Sequence, residues 1–220
     1  MIVLSASALS FFTGNFEREY FAICWQNVDL AQEFFSLKRA ALITAARALF
    51  LEKGFAATGT PEIAERAGMT RGALYHHYKD KQDILRAVIE SEAAGIAAEI
   101  EAGSSDAATP LDALLAGARS YFRAMRAPGR TRLMLLEGPA VLGIAEMRRI
   151  DLETGGQSLR QGLEAAHGPG LSPTGLDARA DLLSAMFDRA ALAIEAGGDA
   201  AIYEEALASL LSALVRKPLR

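Results

Sequence analysis

Apolar residues recur along most of the chain at intervals of three and four positions, the spacing of one face of an α-helix. Between positions 37 and 53 this face consists of Leu42, Ala45, Ala46, Leu49 and Phe50. Further helical stretches are predicted from Lys81 to beyond Ile100, Pro110 to near Pro128, Leu133 to Glu137, Ile144 to about His167, Leu176 to Ala196 and Ala201 to Arg216. The pattern therefore predicts an all-α protein.

Two short helices are predicted between the first and second of these stripes. Thr60 and Pro61 suit the start of a helix that ends at Gly68, and Thr70 suits the N-cap of the next one. Gly68 supplies the permissive backbone that a sharp turn needs. Two helices joined by such a turn form a helix-turn-helix, whose second helix enters the major groove of DNA. Asp80 is placed to cap the long helix that follows.

Residues 37–90 closely resemble the DNA-binding domain of the tetracycline-repressor (TetR) family. The residues that carry the resemblance are Ile63-Ala64, Ala67-Gly68, Thr70, Gly72, Tyr75, His76-His77 and Lys81, preceded by Leu42 to Phe50 and by Gly54-Phe55. The resemblance implies a three-helix helix-turn-helix domain. It also implies a C-terminal helical domain that binds a small-molecule effector and forms a homodimer.

The second helix of the motif holds the predicted DNA contacts. The forked guanidinium of Arg71 suits the two acceptors of a guanine edge, the methyl group of Ala73 suits thymine, and Gly72 allows a close backbone approach. By resemblance, phosphate contacts are expected from Thr60, Thr70, Tyr75, His77 and Lys81. His76 is expected to contact a base or a phosphate.

An effector pocket is expected in the C-terminal domain because the family senses small molecules there. The predicted lining is Tyr121, Phe122, Met125, Met134, Glu137, Met147 and Phe187. Glu137, beside a helix break predicted at Gly138-Pro139, is the candidate polar anchor. The effector is therefore predicted to be hydrophobic or aromatic, and cationic if Glu137 faces the cavity. The alternative is that these side chains form ordinary helical core.

The last two helices are predicted to form the dimer contact. Their apolar stripes favour an isologous four-helix interface that buries Leu182, Met186, Leu207, Leu210 or Leu214 between subunits. The same residues could instead pack inward within one subunit.

Residues 1–36 fit neither the DNA-binding domain (37–90) nor the effector and dimerisation domain (91–220). They are rich in aromatic residues and lack the basic start of a signal peptide. Three interpretations stay open: an ordered arm, a disordered tail, or a start codon assigned too far upstream.

Charge and composition agree with a DNA-binding regulator. The net charge is −4 over 220 residues, but residues 37–90 carry nine basic and six acidic residues, and phosphate affinity depends on the local patch. No apolar run approaches the ~20 residues of a membrane span, and the single cysteine, Cys24, excludes an internal disulfide, so a soluble, cytoplasmic protein is expected.

The predicted function is a homodimeric repressor that leaves a palindromic operator when its effector binds. No phosphate loop, nucleophile elbow or metal-spaced cluster is present, so neither an enzyme nor a metal or other cofactor is expected. In particular, His76 and His77 point about 100° apart on a helix and do not suit one ion. The alternative is an effector-independent DNA-binding or protein-interaction module.

Overall fold

The structure, a computed structural model, describes residues 28–167 and 172–216, with side chains from 32 to 167 and from 172 to 215. Residues 1–27, including Cys24, lie outside the described residues, and so does most of the N-terminal extension whose order was left open. Among the described residues there is no strand, and the predicted all-α class is confirmed. None of their helices has the length and apolar character that crossing a membrane requires.

The N-terminal part consists of α1 (Val28–Ala57), α2 (Thr60–Arg66), α3 (Arg71–His77) and the long α4 (Lys81–Ser104). Helix α1 begins before the predicted position 37, so residues 28–36 extend it. Gly54 interrupts its helical geometry at φ 80°, which agrees with the predicted glycine terminator. The first turn of α2 is capped by Gly59 instead of Thr60, and the carboxylate of Glu62 accepts the Gly59 N–H at 3.2 Å.

The C-terminal part consists of α5 (Pro110–Met125), α6 (Arg130–Arg132), a π-helical turn (Leu133–Glu137), α7 (Gly138–Leu142), α8 (Ile144–Leu152), α9 (Gly155–His167), α10 (Pro173–Glu195) and α11 (Ala200–Arg216). The predicted helix over 144–167 is wrong as one element, since it divides before Gly155-Gly156. A Cβ on Gly156 would lie 2.6 Å from Oδ2 of Asp151, so this close approach needs glycine.

The predicted helix break at Gly138-Pro139 is also wrong. Proline lacks an amide donor and clashes with the carbonyl four residues earlier in a regular α-helix. Here the preceding turn widens to π geometry, and the Gly138 N–H donates to the Leu133 carbonyl, five residues back. The chain therefore stays helical up to Gly143, which ends α7 at φ 85°.

Two hydrophobic cores organise the molecule. The first joins α1–α4 around Leu42, Phe50, Ile63 and Leu74, and also buries Leu133 from the π-helical turn. The second joins α5, α9, α10 and α11 and is formed by Leu114, Phe122, Leu163, Leu183, Phe187, Leu207 and Leu211. Because α4 packs in the first core and along α5, it connects the two parts of the chain.

Candidate DNA-binding face and ligand cavity

Helix α3 is held with one face in the core and the other in solvent. Gly68 makes the turn before it at φ 66°, and Oγ1 of Thr70 caps it by accepting the Ala73 N–H at 3.2 Å. Leu74 and Tyr78 are buried. The exposed residues of the helix are the predicted contact residues Arg71, Gly72, Tyr75 and His76, with Ala73 partly exposed.

A hydroxyl pair links α2 to α3 at the edge of this face. Oγ1 of Thr60 and the hydroxyl of Tyr75 lie 3.0 Å apart. Hydrogen bonds from Thr60 and from Arg71 lower the pKa of Tyr75. Both hydroxyls stay accessible, so the edge presents fixed polar groups to a ligand outside the helix pair.

His77 is turned towards α1. Its ring makes an edge contact with Phe35, with centroids 5.8 Å apart. Burial lowers the pKa of His77, and Lys38, Arg39 and His76 lower it further. These effects favour the neutral imidazole, which packs beside the extension of α1. No group of three metal-ligating side chains occurs among the described residues.

Lys81, predicted to contact phosphate, is instead used inside the protein. Its ammonium donates to the carbonyls of Phe55 at 2.8 Å, Thr58 at 2.9 Å and Ala56 at 3.3 Å, and lies 4.3 Å from the centre of the Phe55 ring. An ammonium has three N–H donors, and all three have acceptors here. Lys81 therefore fastens the start of α4 to the end of α1.

Salt bridges neutralise some of the basic side chains near the helix-turn-helix. Lys53 pairs with Glu62 at 2.5 Å, and Arg66 pairs with Glu52. Arg71 and Lys79 are exposed and form no ion pair within the described part of the chain. Arg71 at the start of α3 and Lys79 just after its end therefore each contribute a positive charge that no salt bridge in the described residues neutralises.

A cavity of about 690 Å³ lies in the C-terminal part, between α4, α5, the π-helical turn, α8, α9 and α10. Of the residues predicted to line a pocket, Tyr121, Met125, Met134, Met147 and Phe187 line this cavity. Phe122 is buried in the second core and does not line it.

Glu137, the predicted polar anchor, does not line the cavity either. Its Oε1 accepts from Nε of Arg132 at 2.9 Å, and its Oε2 is buried without a hydrogen-bond partner. Nη2 of Arg132 in turn donates to the Phe50 carbonyl at 2.7 Å. Glu137 ends the π-helical turn, and through Arg132 it is linked to Phe50 of α1 and not to the cavity.

Two aspartates that the sequence interpretation missed, Asp151 and Asp188, line the cavity. Asp188 accepts the hydroxyl of Tyr121 at 3.0 Å, and Asp151 accepts the hydroxyl of Ser184 at 3.0 Å. Burial raises the pKa of Asp188 to about 6, although the Tyr121 hydrogen bond opposes this. Burial also raises the pKa of Asp151. An aspartate directly after Phe187 was the available sequence signal, but the same pattern fits a solvated helix edge.

The residues of the predicted dimer contact divide into two groups. Leu182 is 66% exposed, Leu210 is 49% exposed and Met186 is 37% exposed. Leu207 is buried in the second core and Leu214 packs partly against it. Leu207 and Leu214 therefore stabilise the subunit. The exposed apolar residues of the last two helices, Leu182, Met186 and Leu210, are together named the α10–α11 patch.

A buried carboxylate joins the helix-turn-helix part to the rest. Glu92 of α4 is 8% exposed and accepts from Nε of Arg47 on α1 and Nε of Arg130 on α6, both at 2.6 Å. Burial alone would raise the pKa of Glu92, but the hydrogen bonds from the two arginines outweigh it and lower the pKa. Three helices thus meet at one carboxylate.

Comparison with known proteins agrees with this architecture. Residues 42–88 match the family of bacterial regulatory proteins described as the tetR family, and residues 111–217 match the tetracyclin repressor-like C-terminal domain. The chain is 30% identical over 128 residues to the TetC protein of transposon Tn10 from Escherichia coli, covering 58% of this chain and 64% of TetC. It is 43% identical over 53 residues to the transcriptional regulator TtgR of Pseudomonas putida, covering 24% of this chain and 25% of TtgR.

A solved structure of a TetR-family regulator from Pectobacterium atrosepticum is also similar. The two chains align with a TM-score of 0.62 at 27% identity, and the alignment covers 84% of this chain and 95% of the Pectobacterium chain. TtgR and the Pectobacterium atrosepticum protein are transcriptional regulators. The two matched regions lie on the helix-turn-helix part and on the helical body that contains the cavity, and the chain belongs to the TetR family of bacterial regulatory proteins.

Proposed function

We propose that the protein is a homodimeric repressor that binds a palindromic operator and releases it when a small molecule fills the cavity. The observation that carries the proposal is a continuous connection between the two sites. The helical segment from Arg130 to Leu142 lines the cavity on one side and hydrogen-bonds the helix-turn-helix part on the other.

The DNA-binding step is supported by the exposed face of α3. Arg71 stands in its first turn without an ion pair in the described residues, and its fork suits a guanine edge in the major groove. Gly72 leaves room beside it for the DNA backbone to approach. Thr60, Thr70 and Tyr75 offer hydroxyl groups to phosphates at the edge of the helix pair, and phosphate contacts fix the register without reading sequence.

The homodimer is supported by the α10–α11 patch. Ile202 of α11 is 64% exposed and enlarges the apolar surface of the same helix pair. Two such patches related by a two-fold axis would bury each other in an isologous contact. A two-fold dimer presents two recognition helices to major grooves one DNA turn, about 34–36 Å, apart, which requires a palindromic operator.

The release step is supported by the contacts of the connecting segment. Met134, Leu135 and Pro139 line the cavity. On the opposite side of the segment, Nη2 of Arg132 donates to the Phe50 carbonyl at 2.7 Å, and Nε2 of Gln82 donates to the Val141 carbonyl at 2.9 Å. A guest in the cavity that shifts this segment would therefore also shift α1 and the start of α4, and with them the separation of the recognition helices.

The alternative of an effector-independent module is less well supported. Such a protein needs no internal space, yet the helices of the C-terminal part leave a cavity between them. A cavity of about 690 Å³ falls within the range of small-molecule sites.

The DNA-binding step is tested by selecting operators from random DNA with the purified protein and with Arg71→Ala. We expect a two-fold symmetric site, and we expect Arg71→Ala to lose base preference at one position of each half-site, costing about 1–3 kcal/mol there. Arg126→Ala, which removes an exposed arginine of the body paired with Glu204, is the matched control and should return the unchanged site. An unchanged site with Arg71→Ala would show that Arg71 reads no base.

A further inference from the structure

The charged groups that line the cavity are mainly acidic. Four carboxylates line it: Glu101 from α4, Asp151 from α8, and Asp181 and Asp188 from α10. The one basic residue of the described lining, Arg148, pairs with Asp181 at 3.1 Å, and both side chains of this pair are largely exposed. Arg148 also acts on Asp151 through space, but neither inner aspartate forms a salt bridge within the described residues.

Asp151 and Asp188 stand together on the inner wall. Asp151 is held by the hydroxyl of Ser184, and Asp188 follows Ser184 by four residues on α10. Residues four apart lie on one helix face, about one turn or roughly 5–6 Å along the axis. The two carboxylates are thus neighbours, and Asp151 contributes to raising the pKa of Asp188.

Asp188 has unused acceptor capacity towards the cavity. Its one hydrogen-bond donor among the described residues is the hydroxyl of Tyr121. An ionised carboxylate accepts about four hydrogen bonds, and its removal from water is costly unless a cation or further donors compensate. Around it the wall is apolar, formed by residues such as Ile96, Met125 and Phe187.

We propose that the cavity selects an organic cation: a protonated amine placed between Asp188 and Asp151, with an apolar body against the Met and Ile side chains. Asp151 already accepts the backbone N–H of Gly156, whereas Asp188 accepts only the Tyr121 hydroxyl in the part of the chain that the structure describes. The amine supplies a positive charge to both carboxylates and N–H donors to the free acceptor positions of Asp188. This inference rests on the proposed function insofar as the cavity is the effector site. The charge preference itself is a property of the cavity and is measured without DNA.

The test uses three probes with one apolar body and different charge: 4-phenylbutylamine, 4-phenylbutan-1-ol and 4-phenylbutyrate. Their dissociation constants for the full-length protein are measured by isothermal titration calorimetry at pH 7.5. We expect the amine to bind at least about tenfold more tightly than the alcohol, since hydrogen bonds to charged groups exceed neutral ones by this order. The butyrate should bind more weakly than the alcohol.

The variant Asp188→Asn tests whether the negative charge of Asp188 causes the preference for the amine. Asparagine has nearly the same shape and keeps an acceptor for Tyr121, so the fold is expected to survive. The preference for the amine over the alcohol should shrink towards unity while alcohol binding persists. Asp177→Asn on the same helix is the matched control, because Asp177 pairs with Arg160 away from the cavity, and it should keep the full preference.

The pH dependence gives a second readout. The titratable and charged groups that face the cavity are Glu101, Tyr121, Arg148, Asp151, Asp181 and Asp188. Protonation of Asp188 removes the charge that holds the amine, so amine affinity should fall as pH drops through about 6, while alcohol affinity stays constant. In Asp188→Asn this fall should be smaller.

Equal or tighter binding of the alcohol or the butyrate, or no binding of any of the three probes, would overturn the proposal. If Asp188→Asn kept the full preference for the amine over the alcohol, Asp188 would not be the carboxylate that binds the amine. Failure of the proposed function looks different: the amine binds with the expected preference, yet the protein binds no operator or keeps its operator when saturated with amine. If only the alcohol or the butyrate released the operator, the proposed function would be supported and the proposed selection of a cation would be wrong.

Discussion

Replacing Glu92 by Gln tests whether the buried carboxylate holds the helix-turn-helix part against the body. Glu92 receives one hydrogen bond from Arg47 and one from Arg130, each at 2.6 Å, and is 8% exposed. Glutamine keeps the shape and one oxygen acceptor, so one arginine retains a neutral hydrogen bond. Its NH₂ group then faces the other guanidinium, donor against donor.

The magnitude follows from these contacts. A hydrogen bond to a charged group contributes about 1.5–3 kcal/mol, and a buried donor left without an acceptor costs about 1–3 kcal/mol. Glu92→Gln loses one charged hydrogen bond and weakens the other, so we expect a loss of about 2–4 kcal/mol in the free energy of unfolding. Arg130 is only 13% exposed, so water compensates it poorly. In a chain of this size, such a loss lowers Tm by roughly 10 °C.

The assay is urea unfolding followed by circular dichroism at one fixed protein concentration, because a dimer's stability depends on concentration. Glu164→Gln is the matched control, since its pair with Arg160 at 3.3 Å is exposed and an exposed ion pair contributes little to stability. The wild-type advantage should also depend on pH. The pKa of Glu92 is depressed in the folded state, so the stabilisation is present above about pH 4.5 and is lost as pH falls through the folded pKa.

Two results would refute this reasoning. If the free energy of unfolding of Glu92→Gln lay within about 0.5 kcal/mol of the wild-type value, the contacts of Glu92 with Arg47 and Arg130 would be as weak as surface ion pairs. A difference that persisted unchanged at acidic pH would show that the ionised carboxylate is not its source.

Further predictions concern three other positions. Lys81→Met should lower the free energy of unfolding by about 1–3 kcal/mol, because the Lys81 ammonium donates to three carbonyls. The salt dependence of DNA binding should stay unchanged, and a salt slope reduced by about one would show that Lys81 contacts a phosphate after all. Leu210→Asp should shift sedimentation from dimer to monomer, whereas a dimer that persists at low micromolar concentration would remove the α10–α11 patch from the interface. Gly72→Ala should stabilise the protein by about 0.5–1 kcal/mol, because a Cβ there would meet only Oγ1 of Thr70 at 3.9 Å. The same change should weaken operator binding, and an undiminished affinity would mean that the backbone at Gly72 does not approach the DNA closely.

The helix-turn-helix part could be predicted almost completely from the sequence because its signals are local. Helix starts depend on caps such as Thr70 and Asp80, and turns depend on glycines such as Gly68, within a few residues of the feature they set. The apolar stripe of α1 likewise predicted its buried face, including Leu42 and Phe50. Even there, the cap of α2 moved by one residue, since the Glu62 carboxylate reaches the Gly59 amide without help from Thr60.

The tertiary structure alone decided where the charged side chains near apolar stripes would point. Lys81, Glu137 and Asp188 each stand at the edge of a stripe, and such a residue can face water, another helix or a cavity. For Glu137 the choice depends on helix rotation, which the π-helical turn sets where the Gly138 N–H donates to the Leu133 carbonyl. It also depends on residues distant in sequence, such as Tyr121 for Asp188. Periodicity fixes which residues share a helix face, but the packing of other helices determines what that face meets.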